Sequence, residues 1–200
     1  MLAWMRNLIA RSSDRDENQR WWKARVAALE AVLGPCDGTV FHVSANLHRH
    51  GFADVLRFRQ YVPGITYVTC GLIGNPRQIP NRWGQYDLVV CTHDEDSWAP
   101  GFLSRLAKYT HDAAIHPGDT MDIHEMRPPK SDVAAILFAR PDPPAHSFSV
   151  RGAPGGLMLC IGITPSEFGA CKTYGSGVVT RALREKGIFP FTHMNRESIA

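Results

Sequence analysis

The sequence predicts an α+β fold, a single domain with a mixed, mainly antiparallel β-sheet and helices packed on it. Three observations lead there. Strand-like runs follow one another through the middle of the chain, at 39–43, 54–60, 65–70 and 86–90. Helical patterns interrupt them, at about 14–33 and 102–109. Finally, the stretch 156–185, GLMLCIGITPSEFGACKTYGSGVVTRALRE, reads as a buried strand running straight into a pair of helices. The rest of the chain is organised around that junction.

Composition sets the outer limits. Two hundred residues suffice for one core, and 44% hydrophobic with 20% charged residues describes an ordinary globular chain. A formal charge of +3, evenly spread, does not select nucleic acid as a partner. Five cysteines (Cys36, Cys70, Cys91, Cys160 and Cys171) are odd in number and widely spaced, without a C-x-x-C, which favours reduced thiols in a cytoplasmic protein. Residues 1–10 (MLAWMRNLIA) are broken by Arg6 and lack a small-residue cleavage site, so neither a secretory leader nor a membrane anchor is expected. No window approaches the roughly 20 apolar residues of a membrane span.

Taken in order, a helix is expected from Ser13 or Asp14, with Trp21, Trp22, Val26, Leu29 and Leu33 on one broad apolar face and Gly34-Pro35 ending it. Residues 1–35 then form an N-terminal helical segment and 36–200 the domain proper. The run TVFHV (39–43) is a strand, and DVLRFRQ (54–60) alternates like a half-exposed one. ITYVTC (65–70) is a β-branched and aromatic strand. GNPRQIPNRWGQ (74–85) is too rich in Gly, Pro and Asn to be anything but a loop. The strand 86–90 carries Asp87, an acid expected to meet an arginine or face solvent. Asp94, Glu95 and Asp96 form an acidic cap ahead of the amphipathic helix built on Phe102, Leu103, Leu106, Ala107 and Tyr109. A turn at 116–120, a short strand at 121–123, a buried strand at 133–138 and a short strand at 148–150 complete the middle. At the junction, Thr164 is the N-cap, Pro165 suits the first helical position, and Glu167 can close a capping box. Gly175 is expected to end this helix, Ser176 to cap the next, and Gly187 to close that one.

Here the chain resembles the suppressor-of-fused domain family. The likeness rests on LCIGITPSEFGACKTYGSGVVTRALREKGIFPFTHMNRESI (159–199), which joins an apolar strand, the Gly162-Ile163-Thr164 and Glu167 signature, two helices and a Pro190-Phe191-Thr192-His193 tail with Arg196 and Ser198. It is reinforced by Thr69-Cys70-Gly71-Leu72, with Cys70 where the family has serine, by Tyr86-Asp87-Leu88, with Asp87 where glutamate is usual, and by the Trp98 to Tyr109 helix. The resemblance covers most of 39–199 and suggests the stand-alone bacterial type. It implies a non-enzymatic module that binds and sequesters a cognate protein. Stand-alone relatives are proposed to neutralise toxins as immunity proteins, whereas the animal proteins clamp a transcription-factor peptide with a second domain.

The residues leave two classes of function open. A protein-binding surface is expected at the 74–85 loop or at a sheet edge. Asn75, Arg77, Arg82, Trp83, Tyr86 and Asp87 are its candidate contacts, since Arg, Trp and Tyr dominate interface energetics. The alternative is a metal-assisted hydrolase using His48, His50 or His124, although imidazoles two apart are a weak ligand pattern. There is no G-x-S-x-G elbow, no phosphate-binding glycine loop and no H-E-x-x-H. No cofactor or catalytic residue is therefore assigned from the sequence, and no metal, nucleic-acid or membrane partner is expected.

Overall fold

The computed structural model describes residues 2–42, 53–145 and 147–199. In chain order the elements are α1 (Leu2–Leu33), β1 (Cys36–Phe41), β2 (Asp54–Phe58), β3 (Ile65–Cys70), β4 (Gln85–Thr92), α2 (Trp98–Tyr109), β5 (Thr120–Asp122), β6 (Ala135–Ala139), β7 (Phe148–Val150), β8 (Ala153–Ile163), α3 (Pro165–Tyr174) and α4 (Ser176–Glu185). The eight strands form one sheet in the order β1-β2-β3-β4-β8-β6-β5, with β7 paired to β8 off that path. Among the described strands only the β4–β8 pairing is parallel, in the register Asp87 to Leu157 and Val89 to Leu159. The mixed, mainly antiparallel α+β architecture predicted from the sequence is the one observed.

Both faces of the sheet are covered, and strand alternation assigns side chains to them. Tyr86, Leu88 and Val90 of β4 join Ile65 and Tyr67 of β3 beneath Phe102, Leu103 and Leu106 of α2. Val89 and Cys91 face the other way with Val68, Leu159 and Ile161, beneath Leu29 and Leu33 of α1, Cys171 of α3, and Val179 and Leu183 of α4. Consequently β8, the central strand, is buried from Gly155 to Ile163.

Several expectations need correction. Helix α1 starts at Leu2 rather than at Ser13 or Asp14, because no Gly or Pro interrupts 2–33 and a polar run is compatible with a continuing helix. Strand β1 is Cys36–Phe41, and Val43 lies outside the described residues. Strand β2 ends at Phe58 and is not half-exposed, since Val55, Leu56 and Phe58 are all buried between the two helical layers. The acids 94–96 do precede α2 as expected, and the Asp96 carboxylate accepts the Trp98 N–H at 2.6 Å. At the α3–α4 junction the N-cap of α4 is Gly175, with φ 87° and ψ 149°, an extended mirror-image conformation suited to glycine, and Ser176 is already helical. By contrast, both halves of the Thr164/Glu167 capping box are present. Four cysteines are buried and Cys36 half-buried, all as free thiols.

Candidate binding surface

The candidate surface grows from the loop between β3 and β4. That loop is a rigid platform, because side-chain amides replace the missing strand hydrogen bonds. Gln78 pairs with Tyr86 as a strand residue would, donating Nε2–H to its carbonyl at 2.7 Å and accepting its N–H at 3.1 Å. Asn81 donates to the Ile115 carbonyl at 3.0 Å and accepts the Trp83 N–H at 2.9 Å. Gln85 accepts the Gly74 N–H at 2.7 Å and donates to the Asn75 carbonyl at 2.6 Å. Underneath, Asp87 accepts the Thr69 hydroxyl at 2.8 Å and the Leu72 N–H at 3.1 Å. Burial pushes its carboxyl up from the ordinary 3.8, despite these donors and the Arg25 charge.

Helix α1 buttresses the loop from behind. Arg25 donates Nε–H to the Ile73 carbonyl at 2.7 Å and lies over the Trp21 ring, 5.1 Å from its centroid. Gly74 has φ +80°, and a Cβ there would come within 2.3 Å of the Trp21 ring. Gly74→Ala is therefore expected to cost about 2 kcal/mol or more, from the strained dihedral and the displaced indole. A thermal midpoint unchanged from wild type would refute the claim that α1 and the loop are locked together.

The platform presents outward what it does not bury. Ile79 is 39% exposed and Trp83 36%. The Arg82 and Arg140 guanidinium carbons lie 3.9 and 4.7 Å from the Trp83 ring centroid, within cation–π range. Arg140, just past β6, extends the patch to a second feature, because Pro117 and Arg140 are shared between the hollow beside Trp83 and a groove of about 550 Å³. Phe138, Ser176, Gly177, Thr180, Arg181 and Arg184 line the rest of that groove. Arg184 is engaged bidentately by Asp142, at 2.8 and 3.2 Å, and stacks on Phe189. Arg181 is exposed and makes no ion pair among the described residues.

Of the residues expected at a partner site, Arg77, Arg82 and Trp83 are exposed at this loop. Asn75 turns the chain, its carboxamide accepting the Arg77 N–H at 3.0 Å. Tyr86 and Asp87 are corrections, being 2% and 1% exposed. Tyr86 belongs to the α2-side core and its hydroxyl accepts the Ile115 N–H at 2.8 Å, while Asp87 meets a hydroxyl and backbone amides, neither an ion-paired arginine nor solvent. Both act by positioning the loop. Sequence reading missed Gln78, Asn81 and Gln85, whose signal was three amides within eight residues of a loop, and it missed Arg140, for which proximity in space was the only signal.

For the alternative chemistry, His48 and His50 lie outside the described residues, and His124 is exposed, its backbone N–H donating to the Asp122 carboxylate at 2.8 Å. Among the described residues no group of three His, Cys, Asp or Glu side chains is placed to hold a metal ion. No described helix is long and apolar enough to cross a membrane.

Fold and surface define the class: an α+β domain with a mixed sheet between helical layers, carrying a basic, aromatic patch on a braced loop. The chain belongs to the suppressor of fused (SUFU) family, whose model matches residues 52–197 and so includes the whole patch. No curated protein sequence matches it. Among solved structures it is similar to a putative SUFU homolog from Neisseria gonorrhoeae, at 17% identity and TM-score 0.68 over 91% of this chain and 98% of that one. A Sufu–Fu complex structure gives 12% identity and TM-score 0.68 over 86% and 87%. Drosophila Suppressor of Fused gives 14% and 0.60 over 76% of this chain but only 44% of that longer one. At these identities the structural likeness establishes the fold.

Proposed function

We propose that this chain is a non-enzymatic binding module that captures and sequesters a cognate protein through the Trp83 surface, acting in the cytoplasm. Family membership supports a protein partner, as does the likeness to a Sufu chain solved in complex with Fu. Toxin neutralisation, as by an immunity protein, is the role we assign to that capture. The observation that carries the reading is local. A half-exposed tryptophan flanked by two guanidinium groups sits on a loop with its own hydrogen bonds already satisfied, so little ordering entropy opposes binding there.

The test is capture from the native lysate with the tagged chain, identification of a stoichiometric partner, and titration of the purified pair. Trp83→Ala is expected to raise Kd by about 30-fold, the effect of losing about 2 kcal/mol at a hot spot. Ile79→Ala should cost several-fold. Unchanged affinity in both variants would move the binding surface elsewhere.

A further inference from the structure

The groove beside Trp83 adds a chemical preference to this surface. We infer that it docks an acidic segment of the partner protein, carboxylates running from Trp83 towards α4; this rests on the protein-binding reading above.

Charge complementarity carries the inference. The chain's formal charge is only +3, yet Arg140, Arg181 and Arg184 line one groove, Arg140 also borders the adjoining hollow beside Trp83, and Arg82 lies over the Trp83 ring. A single carboxylate, that of Asp142, is ion-paired to any of these four among the described residues, and it occupies Arg184 alone. Several arginines elsewhere are neutralised, Arg57 and Arg59 by Asp37 and Glu95, Arg151 by Glu17, and Arg196 by Glu167, whereas Arg25, Arg77, Arg105 and Arg127, also without an ion pair among the described residues, lie outside the groove lining. The groove therefore gathers three guanidinium groups against one paired carboxylate, and the start of α4 at Ser176 and Gly177, which has no side-chain cap, faces it with the same sign. Planar forks of this kind match carboxylates bidentately. An acidic polypeptide is favoured over nucleic acid because the Trp83 ring already carries two guanidinium groups, so a stacked base would have to displace one.

The experiment measures fluorescence anisotropy of labelled 12-residue peptides on the intact chain. One peptide alternates Asp and Glu around a central Leu, and a second replaces every acid with Lys. A single-stranded oligonucleotide of the same charge as the acidic peptide is the third probe. The acidic peptide is expected to bind and the lysine peptide not to. Binding should weaken at least tenfold in Arg140→Glu and in Arg181→Glu, but less than threefold in Lys108→Glu, an exposed α2 residue with the same change in net charge. Equal losses in all three variants, or none in the groove variants, would reduce the effect to bulk attraction and overturn the inference. Tighter binding of the oligonucleotide would replace it with nucleic-acid recognition. The same variants are then titrated against the captured partner. If Trp83→Ala lowers that affinity while both groove reversals leave it unchanged, the acidic-segment inference fails and the protein-binding reading stands.

Discussion

Glu167→Ala is expected to destabilise the fold by about 3–5 kcal/mol, the cost of stranding one half of a buried ion pair. The Glu167 side chain is fully buried and Arg196 is 9% exposed. Each carboxylate oxygen takes one guanidinium nitrogen at 2.5 Å, and the Thr164 and Ile199 N–H groups donate at 3.0 and 3.1 Å. One carboxylate thus caps α3 and ties the C-terminal segment to it. That segment in turn lies against β4, Thr192 donating its N–H to the Cys91 carbonyl. Removing Arg196 as well, in Glu167→Ala/Arg196→Met, should recover a large part of the loss, because no uncompensated charge then remains. Burial alone would push the Glu167 carboxyl up, but the bonds from Arg196, Thr164 and Ile199 together hold it below the ordinary 4.5. Its contribution is therefore full above pH 4.5 and is lost as pH falls through the folded-state value. Urea unfolding between pH 3 and 7 measures both effects, and Glu167→Gln should flatten the acid limb. A cost under 1 kcal/mol for Glu167→Ala would show that the pair merely breaks even.

The Thr164/Glu167 cap was legible because its signals are local, four consecutive residues of known preference. Arg196 as the third member was not, lying 29 residues on with only the tail motif to mark it. The same divide runs through the binding surface. Arg82 and Trp83 were legible by type in a loop. Tyr86 and Asp87 were misread as contacts because alternation along β4 carries no exposure signal when helices cover both faces of a sheet. The start of α1 was misplaced for a related reason, since a polar run can begin a helix or continue through one, and only a Gly or Pro would have decided it. Arg140 and Arg181 reach the patch from β6 and α4, elements whose order in space no local pattern encodes.

Asp87→Ala is expected to cost about 3 kcal/mol and to loosen the binding loop before it unfolds the domain. Two buried donors, the Thr69 hydroxyl and the Leu72 N–H, lose their acceptor, each worth about 1–3 kcal/mol when stranded. Both lie where the ladder fails. Strands β3 and β4 pair only as far as Val68 and Val89, beyond which the Thr69 hydroxyl accepts the Leu88 N–H in place of a backbone carbonyl. Asp87 therefore holds the exit of the loop that Gln78, Asn81 and Gln85 shape further out. Amide exchange across 72–85 should accelerate in the variant while α3 keeps its protection, and partner affinity should fall although the residue is 1% exposed. The pH dependence has the opposite sign to that of Glu167. A folded-state pKa above 3.8 means the native state holds its proton longer than the unfolded chain, so stability declines as pH rises from 3.8 through the folded value. Asp87→Asn keeps the acceptor oxygen without the charge, and its stability relative to wild type should climb over that window. A difference independent of pH would mean that Asp87 carries no shifted proton. Unchanged exchange in the alanine variant would mean that the loop stands without it.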